Sequence, residues 1–312
     1  MTVHESQLAG TVLMIRPARF EANPETAGSN AFMENIDLPA REQQRRALEQ
    51  FESLAAALAG AGVNVVVVDD TPEPHTPDSV FPNNWISMHA DGRVVLYPME
   101  AVNRRTERRL DVLDLLNERH GFHVGDVIDL SAHERDGHYL EGTGSLVLDR
   151  QHRVAYACLS SRTQLDALGD FAQQLDYDIV AFDAVDRNGQ PIYHTNVLMS
   201  IGEELAFICA ECIPDEAQRA AVLSRLEATG HRVMPLSYAQ LEAFAGNMLE
   251  LRAADGARVV ALSQQAFDSL DTGQRDALAG NGRLAIANIR DIEASAGGSV
   301  RCMLAEVHLP LA

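Results

Sequence analysis

The chain has 312 residues, 46% of them hydrophobic, enough to bury a large core. Its 25 Lys and Arg stand against 45 Asp and Glu, a formal net charge of −20, which argues against nucleic acid and anionic membrane as partners. No apolar run approaches the roughly 20 residues of a membrane span. The opening MTVHESQLAGTVLMIRPARF lacks the pattern of a signal peptide, and four cysteines are too few for a disulfide scaffold, so a cytoplasmic protein with reduced thiols is expected.

The first predicted strand lies in TVLMIRPARF. A polar, Gly-containing loop follows, RFEANPETAGSNAFMEN (19–35), where a lid over a site would stand. A helix is predicted over REQQRRALEQFESLAAALAGAG (41–62), then the strand VNVVVVDD. Four similar units come next. They open at FPNNWISM from Phe81, LEGTGSLVL from Leu140, YHTNVLMS from Tyr193 and FAGNMLEL from Phe244, at intervals of 59, 53 and 51 residues. Each opening leads into a strand and a turn: ADG (90–92), DRQ (149–151), GEE (202–204) and ADG (254–256). Second strands follow, RVVLYP, RVAYACL, LAFICA and RVVALS, apolar and β-branched as strands buried on both faces are.

Helical patterns complete the units. RRTERRLDVLDLLNERHG (104–121) stacks Leu110, Leu113, Leu115 and Leu116 on one side and stops at Gly121. PDEAQRAAVLSRLEATG (214–230) starts with Pro214 and two acids and stops at Gly230. RTQLDALGDFAQQL and QQAFDSLDTGQRDALAG supply the others. The closing SVRCMLAEVHL either completes the unit begun near Phe244 or joins the first unit. A repeat of roughly 50–60 residues points to a cyclic array whose units bury their faces against one another. The expected fold is therefore α/β: a five-bladed α/β propeller of ββαβ repeats, one domain over 1–312. An ordinary open α/β sheet is the alternative. In a propeller the starts of the inner strands converge on a central channel, although they lie far apart in sequence.

The polar groups near those openings are Asp78, Asn83, Asn84, Glu141, His194, Asn196 and Cys302. A thiol, an imidazole and a carboxylate make a nucleophile, a base and its orienting group. Singly, a buried Cys or His is more often packing. Here three such residues begin three different units. The glycines before Cys302, in GGSVRCM, would let the backbone approach a substrate closely.

The segments DSVFPNNWIS, LEGTGS, YHTN, SSRTQ and GGSVRCM resemble the motifs of the guanidino-group-modifying superfamily. It includes arginine deiminases, dimethylarginine dimethylaminohydrolases, agmatine deiminases and amidinotransferases. The resemblance covers essentially the whole chain and is nearest to the arginine deiminase-related group that contains citrulline ureidases. It implies the five-bladed fold (pentein), Cys302 as nucleophile, His194 as acid/base and Glu141 as the carboxylate orienting His194. SVF and SSRT resemble dimethylarginine hydrolases especially. By that likeness Asp78 would bind the substrate α-amine, and Arg162 with Arg104 or Arg105 its α-carboxylate, a task that suits the planar guanidinium fork.

Deiminases of the superfamily grip the guanidinium with carboxylates at the start of the second unit and two residues after the His. This chain has Asn83 and Asn84 at the first place and Asn196 at the second. A guanidinium is always charged and only donates hydrogen bonds, so burying it without a carboxylate is costly. An amide both donates and accepts, which suits a neutral ureido group. The expected reaction is hydrolysis of a citrulline-like amino acid to ornithine, ammonia and carbon dioxide. An arginine deiminase- or dimethylarginine hydrolase-type reaction is the second reading. A non-catalytic propeller that only binds is the third, and joint retention of Cys302, His194 and Glu141 disfavours it.

The chemistry calls for no cofactor and no metal. CAEC, with Cys209 and Cys212, has the spacing of half a zinc site, but no second pair matches it. EGTGS lacks the Lys and helix of a phosphate loop. Cys158 reads as core, and His75, His133, His138 and His308 as loop or edge residues. The expected partner is a small-molecule substrate. A homo-oligomer is left open.

Overall fold

The computed structural model describes residues 5–28, 30–34 and 38–312. Among these, the strands form five three-stranded sheets of one pattern within a mixed α/β fold. The second sheet holds Ile86–Met88, Val94–Leu96 and Val127–Asp129. The third holds Val147–Asp149, Val154–Leu159 and Asp178–Asp183. The fourth holds Met199–Ile201, Leu205–Ile208 and Arg232–Pro235, and the fifth Leu249–Arg252, Arg258–Ser263 and Arg283–Ala287. In each, the first strand pairs antiparallel with the middle one, and the middle one pairs parallel with the last. The antiparallel pair needs only a tight turn, while the parallel pair needs a crossover, which the helices supply.

The first sheet obeys the same pattern with one difference. Its middle and last strands, Thr11–Arg16 and Asn64–Asp69, are local, but its antiparallel strand is Ala305–Val307. The closing segment therefore joins the first unit, with Thr11 opposite Val307 and Leu13 opposite Ala305. The first strands of the sheets also meet one another. Ala305–Val307 lies against Ile86–Met88, Val147–Asp149 against Met199–Ile201, and Met199–Ile201 against Leu249–Arg252.

The helices follow the predicted ones with two corrections. Ala40–Gly60 buries Ala47, Phe51, Leu54 and Leu58 against the first and fifth sheets. Glu216–Ala228 and Leu165–Leu175 fall where expected. The span 104–121, expected as one helix, splits into a 3-10 turn over Val102–Glu107 and an α-helix over Asp111–His120 that ends at left-handed Gly121. The break lets Arg104 and Glu107 turn inward as a buried ion pair, which one amphipathic helix would have left at its wet face. The span 264–280 also divides, at Asp271, whose carboxylate caps a new helix over Thr272–Asn281 in a capping box with Gln274. His308, expected at an edge, is buried beside Glu306. Among the described residues no helix is long and apolar enough to cross a membrane.

The helix Leu165–Leu175 seats Phe171 with no exposure between Tyr97 and Tyr177, at ring distances of 6.2 and 5.5 Å. Phe171→Ala is expected to cost about 3–5 kcal/mol, read as a lower denaturant midpoint with an unchanged slope. A loss below about 1 kcal/mol would mean that the site collapses to refill the space.

Candidate active site

Five residues stand two or three positions before the first strands of the sheets: Asn84, Gly144, Asn196, Asn247 and Cys302. They come together in space. The side-chain amides of Asn196 and Asn247 lie 3.5 and 3.3 Å from Cys302 Sγ. A Cβ on Gly144 would lie 2.5 Å from Asn84 Nδ2 and 2.6 Å from His194 Nδ1, so only glycine fits between them. The Gly297–Gly298 pair makes room differently from expectation. Its space is filled by the Asn30 amide and the Phe81 ring, 2.5 and 2.8 Å from where Cβ atoms would stand.

Cys302 lies in a 3-10 turn over Val300–Met303, its N–H donating to Ser299 O at 3.0 Å. Burial pushes its thiol up, opposed by hydrogen bonds from the Ser299 turn, Asn247 and Asn196 and by the Arg301 charge. His194 Nε2 and Glu141 Oε2 are 2.9 Å apart and both side chains are buried. Burial lowers His194 to about 4 against the pull of Glu141, with Arg162 and Arg104 adding to the lowering. Burial works against the Glu141 charge too, but Arg162, His194 and Arg104 outweigh it and hold the carboxyl at about 2. An ionised carboxylate only accepts, so the ring proton sits on Nε2 and Nδ1 carries the lone pair. The imidazole is thus neutral and is oriented by a charged carboxylate.

A small cavity opens beside these groups, lined by Cys302, His194, Asn84, Asp78, Arg104 and Arg162, with Thr26, Asn30 and Tyr193 among its walls. Asp78 Oδ2 accepts from Asn23 Nδ2 (2.7 Å) and lies 3.6 Å from Arg104 Nε, while its Oδ1 is without a hydrogen-bond partner. Arg162 donates from Nη2 to Thr26 O (3.2 Å), lies 3.6 Å from Glu141, and stacks over the Tyr193 ring at 4.9 Å. Arg104 is engaged on several sides: by Glu107 at 2.9 Å, by Asn84 Oδ1 at 2.9 Å, and by Asp78 and Glu141 nearby. Burial pushes Glu107 up to about 7 against the pull of Arg104.

The sequence-derived candidates divide accordingly. Cys302, His194, Asp78, Asn84, Arg104 and Arg162 line the cavity, and Glu141 stands behind the imidazole. Asn196 touches the thiol from the side without lining the cavity. Asn83 is buried next door with both amide atoms unpartnered. Arg105 points elsewhere, donating to Met99 O (3.1 Å) and lying 3.4 Å from Glu134. The loop 19–35 contributes Thr26 and Asn30 to the wall, while its Ser29 and Asn35 lie outside the described residues. Sequence reasoning missed Asn247 and Glu107. The signal for Asn247 was present, since FAGNMLEL sets its Asn three residues after Phe244, as YHTN does after Tyr193.

Solved structures that share this fold include the following three. The N-terminal domain of ArgZ, an arginine dihydrolase from the ornithine–ammonia cycle in cyanobacteria, is 20% identical with a TM-score of 0.73, covering 97% of this chain and 99% of that domain. AgrE, solved with ornithine and NAD+, gives 20% and 0.74 over 97% of this chain. A dimethylarginine dimethylaminohydrolase gives 14% and 0.62, covering 96% of this chain and 99% of that one. The chain spans about two fifths of full-length ArgZ and AgrE, 41% and 40%. No curated protein sequence matches it significantly. The chain is thus a pentein-type protein of the guanidino-modifying superfamily. More narrowly, residues 16–309 match the family described as N,N dimethylarginine dimethylhydrolase, eukaryotic, and the chain belongs to it. That family is one of hydrolases.

The two shifted groups set a pH dependence. His194 stays neutral in the fold down to about 4, from an ordinary 6.5, so below 6.5 the unfolded chain binds the proton first and stability falls until about 4. Glu141, depressed from 4.5 to about 2, adds a further loss as pH falls through that range. Thermal midpoints should drop between pH 6.5 and 4 more steeply for the wild type than for His194→Gln. Equal slopes would mean that the ring is not held neutral.

Proposed function

We propose that the chain is a cysteine hydrolase that cleaves the ureido C–N bond of a citrulline-like amino acid, giving ornithine, ammonia and carbon dioxide. The observation that carries this reading is the orientation of Asn84. Arg104, which only donates, faces Asn84 Oδ1 at 2.9 Å, so Nδ2 points the other way and has no partner. An unpaired donor at the cavity wall calls for an acceptor. A ureido oxygen is one, and a guanidinium has none. The carboxylates nearby are already engaged, Glu141 by His194 and Asp78 in part by Asn23.

The remaining roles follow from charge. The unpartnered Asp78 Oδ1 suits the substrate α-amine. Arg105 lies outside the cavity, so the α-carboxylate falls to the two arginines that line it, Arg162 and Arg104. The Cys302 sulfur attacks the ureido carbon. Its proton passes to His194 Nδ1, and the C=O electron pair moves onto oxygen, where the Asn84 amide donates. The oxygen pair returns as the C–N bond breaks, and His194 hands its proton to the departing ornithine nitrogen. Water, deprotonated by the now neutral His194 Nδ1, then attacks the S-carbamoyl carbon, and that proton returns to the departing sulfur. The thiol is restored, and the carbamate released decomposes to ammonia and carbon dioxide. In this reading the five sheets are the blades of one closed ring, a single catalytic domain of a cytoplasmic enzyme. The contacts between successive first strands support the ring.

A second reading, hydrolysis of a guanidino group, is favoured by the family match and by the fold shared with ArgZ, an arginine dihydrolase. Purified protein given citrulline, arginine and dimethylarginine separates the two. Ornithine and ammonia are expected chiefly from citrulline, and good turnover of arginine with none of citrulline would overturn the ureido reading. Cys302→Ala should lower kcat by about 10⁴-fold or more, and full activity in that variant removes the nucleophile assignment. Asn84→Asp should reduce kcat/KM for citrulline by about 10²-fold and spare arginine relatively. An equal loss on both substrates would speak against the donor role.

A further inference from the structure

Asn247 has no place in the roles above, yet it is the nearer of the two amides on the sulfur. It is fully buried, two residues before Leu249–Arg252. Its Nδ2 lies 2.9 Å from the backbone oxygen of Asn196 and 3.3 Å from Cys302 Sγ. Its own backbone oxygen accepts from Arg301 N–H at 3.4 Å, in the turn that carries Cys302. These contacts fix which way the amide faces. The Asn196 carbonyl can only accept, so the atom against it must be nitrogen; the flipped amide would set two acceptors together. A primary amide has two N–H groups. One is taken by Asn196 O, and the other is left for the sulfur. Asn247 Oδ1, on the far side, is unpartnered.

We propose that Asn247 is a catalytic residue of this enzyme: its fixed N–H donates to Cys302 Sγ and stabilises the thiolate over the thiol. A thiol sulfur is a weak acceptor and a thiolate a strong one, so a donor locked on sulfur favours loss of the proton. The need for it is plain from the surroundings. His194, neutral in the resting site, puts no positive charge beside the sulfur. Asn196 Nδ2 is farther away at 3.5 Å, and its Oδ1 stands 3.8 Å from the same sulfur, so its facing is not fixed in the same way. The thiol proton still passes to His194 Nδ1, and Asn247 transfers none.

The inference rests on the hydrolase reading for its catalytic meaning, but its test does not use substrate. The rate of Cys302 alkylation by iodoacetamide is followed against pH in the wild type, Asn247→Ala and Asn247→Asp, with Cys302→Ala correcting for the other thiols. The midpoint of the alkylation profile should rise by about one unit or more in Asn247→Ala. It should rise further in Asn247→Asp, which removes the donor and adds a negative charge beside the sulfur, with kcat on citrulline down about 10–100-fold in both. Should the Ala variant fail to fold, the isosteric Asp variant decides. An unmoved alkylation profile in a folded variant overturns the proposal, whatever happens to turnover. A moved profile in an enzyme that ignores citrulline upholds it and rejects only the substrate.

Discussion

The arrangement depends on one short pairing, Ala305–Val307 laid antiparallel on Thr11–Leu13. It joins residues nearly 300 positions apart, so its loop-closure entropy must be met by burial. Met303, Leu304, Ala305 and Val307 are all buried, which supplies that burial. Cys302 stands three residues before this strand. Side chains alternate faces along a strand, so a slip of one residue would turn Ala305 and Val307 out of the core. The nucleophile candidate is placed by the same packing that completes the first sheet.

Buried charge does the next part of the work. Arg104 sits among Glu107, Asp78 and Glu141 with 2% of its side chain exposed. A lone cation there would be prohibitive, and the carboxylates offset its desolvation. One further contact gives that ion cluster a directional effect on a neighbouring amide. Because a guanidinium only donates, Arg104 dictates which end of Asn84 faces it and so which end faces the cavity. Asn196 O does the same for Asn247. Two amides with no charge of their own are thereby given a definite polarity by neighbours that act in one sense only.

Much of this was legible in the sequence, for reasons that can be named. The antiparallel pairs are local, so each left a polar turn between two short apolar runs, and the crossover helices left three- and four-residue periodicity. The closing segment was ambiguous because its partner is at the other end of the chain. The 104–121 helix was misjudged because Arg104 and Glu107 look like an exposed pair one turn apart, when both are buried. A 3-10 turn advances about 120° per residue. That spacing explains why Arg104 lines the cavity and Arg105 does not, and why Asn84 lines it and Asn83 does not. Adjacent identical residues in a sequence give no sign of which one turns inward. Thiol, imidazole and carboxylate drew notice by their chemistry. Asn247 did not, because an amide looks ordinary until the repeat is used to align it with Asn196.

Gly144 carries a consequence for the repeat itself. Of the five positions that meet at the centre, four bear side chains, and the fifth is bare where His194 Nδ1 and Asn84 Nδ2 press in. Five identical units would put five identical side chains at that meeting point and leave no room for an imidazole. The fold is built by repetition, but at this point the repeat is broken: one unit gives up its side chain so that a group from the next can reach the centre.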